Sequence, residues 1–86
     1  MAEVEIYTTP ICPFCHRAKN LLDKKGVPFT EIDVQGKPDL RSKMTQRAGG
    51  RSSVPQVFID GRSIGGCDDL FDMEFDGELD KLLGAV

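Results

Sequence analysis

Apolar and polar residues alternate near the start of the chain, and this alternation predicts the first β-strand. Val4 and Ile6 fall on one side of an extended segment, whereas Glu5 and Tyr7 fall on the other side. A period of two is expected of a strand that buries one face and exposes the other. The strand is predicted to end near residues 8–10.

Between Pro13 and Lys25 the spacing of apolar residues changes to three and four. This spacing predicts an amphipathic helix with one buried face, and Gly26 is suited to ending it. The apolar positions of the segment are Phe14, Cys15, Ala18, Leu21 and Leu22.

The next segments complete a βαβ unit and predict a second helix. β-branched residues and alternation over residues 29–34 predict a strand parallel to the first strand. A weaker helical pattern runs from about Asp39 to Ala48 and is ended by Gly49-Gly50.

The remaining sequence predicts a hairpin followed by a helical tail. Val57-Phe58-Ile59 is a continuous apolar run, which is typical of a buried central strand. Asp60-Gly61 predicts a tight turn into a short strand around Ser63-Ile64. From Cys67 to Val86 the apolar residues return at helical spacing, with a break expected at Asp76-Gly77.

The resulting order of elements, βαβ-α-ββ-α, predicts an α/β fold in which all elements share one core. The chain has 86 residues, and half that length would not usually fold alone, so one domain is expected over residues 1–86. The content of 40% hydrophobic and 29% charged residues is that of an ordinary globular protein. A monomer is the default expectation.

The net charge and the first five residues limit the partners and the location that are expected for the protein. The net charge of -3 disfavours a nucleic-acid partner. Residues 1–5 contain neither a basic cluster nor a long apolar run, so no signal peptide or membrane contact is expected and the predicted location is cytoplasmic. In that reducing compartment, three cysteines indicate chemistry rather than a disulfide scaffold.

The segment Cys12-Pro13-Phe14-Cys15 lies where the first strand passes into the first helix, with Pro13 suited to the first helical position. Cys12 then caps the helix, and its sulfur is expected to accept hydrogen bonds from the Phe14 and Cys15 N–H groups. These bonds and the helix dipole favour a thiolate. Cys12 is therefore predicted to be an exposed, ionised nucleophile.

Cys15 is expected to have the complementary role. It shares a helix face with Ala18 and Leu22, and because this face turns toward the core, Cys15 is predicted to be a shielded resolving thiol. A zinc site is an alternative for such a pair, although only Cys67 and His16, which is on the polar helix face, could supply further ligands. The segment also matches the haem attachment pattern C-x-x-C-H, which normally occurs in exported, mostly helical chains.

Four sequence blocks, in order, resemble the dithiol, bacterial-type glutaredoxin family. They are Ile6-Tyr7-Thr8, residues 12–19, residues 53–59 and residues 65–70. The resemblance implies a thioredoxin-like fold with a four-stranded mixed sheet flanked by helices. It implies an oxidoreductase that reduces glutathione mixed disulfides and protein disulfides through Cys12 and Cys15. Glutathione would be the co-substrate, no metal or prosthetic group would be needed, and the partners would be disulfide-containing or glutathionylated proteins.

The resemblance also implies a glutathione site beside the cysteines. Val54 would pair through its backbone with the cysteinyl part of glutathione, beside a cis peptide bond before Pro55; an ordinary trans turn is the alternative. Gly66, Cys67 and Asp68 would hold the γ-glutamyl carboxylate at a helix N-terminus.

The other predicted ligand contacts are less specific. An Asp68 or Asp69 carboxylate would lie near the γ-glutamyl ammonium group, unless both aspartates only cap the helix. Arg51 would bind the glycyl carboxylate or remain in solvent, and Phe14 would pack against the ligand. Cys67 is either a modulating thiol or a packed small residue.

Thr9 replaces a lysine that many family members carry before the first cysteine, so glutathione binding is expected to be weaker or more dependent on Arg51. Two rival functions stay open. One is a thioredoxin-like protein reduced by a flavoprotein, although the chain has no tryptophan. The other is an iron–sulfur carrier in which two chains share a cluster through Cys12, which Pro13 disfavours.

Overall fold

The structure, a computed structural model, describes residues 2–84, whose strands form one mixed sheet. The strand order is β2-β1-β3-β4, with β1 parallel to β2 and β3 antiparallel to both β1 and β4. The predicted α/β fold with a four-stranded mixed sheet is confirmed. The strands are β1 (Val4–Thr8), β2 (Thr30–Asp33), β3 (Gln56–Ile59) and β4 (Arg62–Gly65).

Helices flank the sheet and lie close to their predicted positions. The helices are α1 (Pro13–Lys24), α2 (Pro38–Arg47), α3 (Cys67–Asp76) and α4 (Glu78–Leu83). The predicted break falls at Gly77, whose φ of +76° is in the left-handed region that favours glycine. Met1, and the residues Ala85 and Val86 that end the predicted tail, lie outside the described residues.

Two apolar clusters cover the two faces of the sheet. One face packs against α1, α3 and α4, and its buried residues include Val4, Ile6, Ala18, Leu22, Val57, Ile59, Leu70 and Leu79. The other face packs against α2, and its buried residues are Tyr7, Val34, Met44, Ala48 and Phe58. Helices on both faces make the central strands inaccessible to solvent.

The prediction that β1 exposes one face is wrong, because α2 covers that face. Tyr7, which lies on that face, is 2% exposed. Tyr7 packs edge to face on Phe58 with ring centroids 5.5 Å apart, and its hydroxyl accepts a hydrogen bond from Arg47 Nη1 at 2.9 Å. Arg47 also pairs with Glu5, Nη2 to Oε1, at 2.9 Å. The arginine therefore satisfies the polar groups that the alternation had assigned to solvent.

Strand directions bring three connections together at one edge of the sheet. Because β1 and β3 are antiparallel, the end of β1 lies beside the start of β3, where Tyr7 pairs with Gln56. Because β3 and β4 are antiparallel, the end of β4 lies there too, where Val57 pairs with Gly65. The start of α1, the loop before β3 and the start of α3 therefore meet. Within residues 2–84, none of the helices has the length and apolar character needed to cross a membrane.

Candidate active site

Cys12 is the N-cap of α1, as predicted, with an extended backbone at φ -149° and ψ 100°. The Cys15 N–H donates a hydrogen bond to Cys12 Sγ at 3.1 Å. The second predicted bond, from the Phe14 N–H, is not found among the described residues. The sulfur thus lies over the first turn of α1, where backbone N–H groups have no partner within the helix.

The prediction of an exposed Cys12 is wrong, because the residue is only 8% exposed. The loop before β3 covers it, and the Val54 carbonyl accepts a long, weak hydrogen bond from the Cys12 thiol at 3.9 Å. Partner molecules must therefore approach the sulfur from a restricted direction. The neighbouring Ile11 is 89% exposed and Phe14 is 52% exposed, so the surface around the covered sulfur is open and apolar.

Cys15 is fully buried, with an exposed fraction of 0%, on the face of α1 that also buries Ala18 and Leu22. This placement confirms the predicted shielding. Burial raises the pKa of the Cys15 thiol to about 12, and its hydrogen bond with Cys12 contributes in the same direction. Cys15 therefore remains a thiol near neutral pH while the pair is reduced.

A groove of about 160 Å³ separates the start of α1 from the start of α3. We name it the α1–α3 groove. Every residue that the resemblance assigned to glutathione lines it. The lining residues are Phe14, Arg51, Ser53, Val54, Pro55, Gly66, Cys67, Asp68 and Asp69.

The loop before β3 forms one wall of the α1–α3 groove. The Val54-Pro55 peptide bond is cis, as the resemblance implied. Cys67 lies on the wall formed by α3 and is 6% exposed, and burial raises the pKa of its thiol. A protonated, covered thiol at this position favours the prediction that Cys67 is a packed residue.

Asp69, rather than Asp68, organises the start of α3. Its Oδ2 accepts a hydrogen bond from the Gly66 N–H at 2.9 Å and pairs with Arg51 Nη1 at 3.1 Å. The Gly66 N–H and the Arg51 guanidinium lower the pKa of the Asp69 carboxyl below its ordinary value of 3.8. Arg51, predicted to bind a carboxylate or remain in solvent, has a side chain that is 51% exposed and pairs with Asp69 in the wall of the groove.

Gly65 is the residue that allows the Arg51–Asp69 pair to form. Its φ is +115°, and a Cβ at this position would overlap the Asp69 carboxylate and lie 2.7 Å from Arg51 Nη1. The space beside Gly65 is therefore occupied by the protein's own carboxylate and guanidinium.

Asp69→Asn is expected to lower the free energy of unfolding at neutral pH by about 1 kcal/mol, because it weakens the cap of α3 and removes the ion pair. Since the folded pKa of Asp69 is lowered, its contribution is complete above the unfolded pKa and is lost as the pH falls through the folded pKa. Thermal unfolding followed by circular dichroism should therefore show a wild-type advantage at pH 7 that shrinks below about pH 4.

The exposed Asp68 provides the matched control, since it makes neither the Gly66 bond nor the Arg51 ion pair, and Asp68→Asn should cost less stability at pH 7 than Asp69→Asn. An Asp69→Asn deficit of the same size in acid and at neutral pH would contradict an ionised cap.

Two polar contacts that were not predicted from the sequence hold the loop before β3. Arg41 donates from Nε and Nη2 to the Ser52 carbonyl, at 3.1 and 2.8 Å. Gln56 Nε2 donates to the Ser53 carbonyl at 3.0 Å. The sequence does carry a signal for the second contact, because Gln56 directly precedes the apolar run of β3. An amide that is buried at such a position needs a hydrogen-bond partner.

Across residues 2–84, no three His, Cys, Asp or Glu side chains are grouped so that they could hold a metal ion. His16, one of the zinc ligands considered above, is exposed on α1.

Known proteins resemble this chain in both sequence and fold. The family model described as Glutaredoxin matches residues 4–64. Glutaredoxin 3 of Escherichia coli K12 is 54% identical over 83 residues, which cover 96% of this chain and 99% of that protein. The chain belongs to the glutaredoxin family. Glutaredoxins are thiol-disulfide oxidoreductases that use glutathione, so this glutaredoxin is an enzyme of that class with Cys12 and Cys15 in its C-x-x-C motif.

Solved structures place this glutaredoxin in the thioredoxin-like fold. The solution structure of glutaredoxin from Brucella melitensis is 50% identical, with a TM-score of 0.86 over 99% of this chain and 91% of that chain. A buckwheat glutaredoxin–glutathione complex is 31% identical, with a TM-score of 0.87 over 99% of this chain and 82% of that chain. The fold implied by the resemblance is confirmed.

Proposed function

We propose that Cys12 is the attacking thiolate of this glutaredoxin and that Cys15 is its resolving thiol. The observation that carries this assignment is the bond from the Cys15 N–H to Cys12 Sγ at 3.1 Å. It places the sulfur at the helix N-terminus beside the α1–α3 groove, with the second cysteine buried directly behind it. The raised pKa of Cys15 keeps it from competing for the first attack.

With a glutathionylated protein, the Cys12 thiolate attacks the glutathione sulfur. The bond between glutathione and the protein breaks, a Cys12–glutathione disulfide forms, and the protein leaves as a thiolate that takes a proton from solvent. A second glutathione thiolate then attacks the bound glutathione sulfur. Oxidised glutathione leaves and the Cys12 thiolate is restored, so one free glutathione is consumed for each protein thiol released.

With a protein disulfide, Cys12 first forms a mixed disulfide with the protein. Cys15 then loses its proton and attacks Cys12 Sγ, which releases the protein dithiol and leaves a Cys12–Cys15 disulfide. Two glutathione molecules reduce this disulfide and leave as oxidised glutathione. The route requires Cys15 next to Cys12, which their positions on the first turn of α1 supply.

The α1–α3 groove offers groups that match those of glutathione. The backbone of Val54 suits strand-like pairing with the cysteinyl part, and Phe14 adds apolar contact. The start of α3, from Gly66 to Asp68, presents N–H groups to the γ-glutamyl carboxylate. Because Asp69 is engaged with Arg51, the exposed Asp68 is the carboxylate proposed for the ammonium group.

The position of Arg51 changes its proposed role. It lies against Gly65 and Gly66 at the α3 end of the groove, so we assign its charge to the γ-glutamyl carboxylate rather than to the glycyl carboxylate. A neighbouring groove beside Thr9 is lined by Lys37 and Arg41. These cations supply positive charge for the glycyl carboxylate where the family lysine is absent.

Ile11 and Phe14 give the active site an apolar rim suited to binding disulfide-containing or glutathionylated polypeptides. The net charge of -3 supports a role without nucleic acid. We further propose that residues 1–86 form a single domain and that the protein is a monomer. It would carry electrons in the cytoplasm without contacting a membrane.

A coupled assay tests glutathione dependence. With glutathione, glutathione reductase and NADPH, the protein is expected to turn over a glutathionylated peptide, because the α1–α3 groove carries groups for that ligand. Thioredoxin reductase and NADPH without glutathione should give no turnover above a reaction lacking the protein. Turnover with thioredoxin reductase alone would overturn the proposal in favour of a thioredoxin-like protein.

A further inference from the structure

Gln56 carries a buried polar side chain that the chemistry above does not use. It is 0% exposed at the start of β3 and does not line the α1–α3 groove. Its Nε2 donates to the Ser53 carbonyl at 3.0 Å and approaches the Ser53 hydroxyl at 3.3 Å. Its Oε1 is buried and has no hydrogen-bond partner among the described residues.

The amide donor acts on the segment that presents Val54. The residue held by Gln56, Ser53, is directly followed by Val54, whose own carbonyl lies 3.9 Å from Cys12 Sγ. With the Ser53 carbonyl turned toward Gln56, the backbone on either side of the Ser53-Val54 peptide has a defined orientation. That orientation decides how the Val54 backbone faces the groove.

Fold stability alone does not explain this glutamine. A buried acceptor without a donor costs free energy, typically about 1 to 3 kcal/mol. The residue to which Gln56 donates, Ser53, is itself exposed. An apolar side chain of similar shape at position 56 would remove the unpartnered oxygen and the free-energy cost of burying it.

We infer that Gln56 is a positioning residue that holds the Ser53-Val54 backbone in the orientation that binds the cysteinyl part of glutathione. This inference rests on the proposed function of Val54. The inference separates binding from chemistry, because Gln56 does not line the groove and acts on it only through Ser53. A uniform loss of binding raises KM and leaves kcat unchanged.

Gln56→Met, which keeps an unbranched side chain but has no N–H donor, tests the inference. In the coupled assay, KM for a glutathionylated peptide is expected to rise about five-fold with kcat unchanged, the size expected for one lost hydrogen bond. The rate at which iodoacetamide alkylates Cys12 should match the wild type, because this small reagent does not use the groove. The melting temperature should be equal to or above that of the wild type.

Met44→Leu is the matched control. Met44 is fully buried on the sheet face that packs against α2, and it makes none of the hydrogen bonds to Ser53 described here. It should leave KM, kcat and alkylation unchanged. Gln56→Leu repeats the test if Gln56→Met does not fold.

A folded Gln56 variant with wild-type KM overturns the inference. A raised KM accompanied by a lowered melting temperature and slower alkylation also overturns it, since that result indicates general damage. Wild-type protein that shows no saturation with glutathionylated peptide would instead contradict the proposed glutathione site itself.

Discussion

Cys12→Ser is expected to abolish turnover of both glutathionylated peptides and protein disulfides, with a loss of at least about a thousand-fold in kcat/KM. Serine is close to cysteine in size, so the N-cap of α1 remains. Its hydroxyl is not ionised near neutral pH and cannot form a disulfide, so no covalent intermediate is possible. The measurement is the coupled glutathione assay with each substrate in turn.

His16→Gln is the control for this loss. His16 is exposed one turn from Cys12 on α1 and lies outside the α1–α3 groove, so its replacement should retain wild-type rates. Circular dichroism should show that Cys12→Ser is folded. Activity of Cys12→Ser above that of a reaction without protein would mean that another group makes the first attack.

Cys15→Ser is expected to affect the two activities, on glutathionylated peptides and on protein disulfides, to different extents. Turnover of glutathionylated peptides should stay within about two-fold of the wild type, because glutathione itself resolves the Cys12–glutathione disulfide. Reduction of an intramolecular protein disulfide should fall about a hundred-fold, because an attack within one molecule is replaced by a bimolecular one. The two rates are measured with the same concentration of glutathione.

The trapped intermediate gives a second readout for Cys15→Ser. Mass spectrometry after mixing with a disulfide-containing protein should show a covalent adduct through Cys12, which glutathione then releases slowly. Equal losses on both substrates, or no adduct, would contradict the resolving role of Cys15.

The dithiol itself could be predicted from sequence because its geometry is local. Cys12, Pro13 and Cys15 lie within one helical turn, and N-capping requires only the residues that form that turn. The structure confirmed the N-cap and the burial of Cys15. It did not confirm the exposure of Cys12, because the covering group belongs to Val54, 42 positions along the chain.

The face of β1 that packs against α2 shows the same limit of prediction from sequence. Alternation placed Tyr7 with Glu5 on a solvated face, but α2 covers that face and Arg47 supplies the partner for both side chains. An apolar pattern reports which residues avoid water on average. It does not report that a buried polar group has found a distant partner.

The prediction of the residues that line the α1–α3 groove depended on the family resemblance rather than on the pattern of apolar and polar residues. These residues come from three connections that are remote in sequence, and only the antiparallel pairing of β3 with β1 and β4 brings those connections to one edge. The Arg51–Asp69 pair and the close approach at Gly65 follow from that convergence.

The sequence by itself determined the order of strands and helices, the start of α1 and the placement of two thiols at that start, because these features depend on neighbours within a few residues. Only the tertiary structure decided how far Cys12 is covered, where the Arg51 side chain lies and which residue holds Ser53. Those properties depend on hydrogen bonds and ion pairs between segments far apart along the chain, and the strand order of the sheet sets which segments meet.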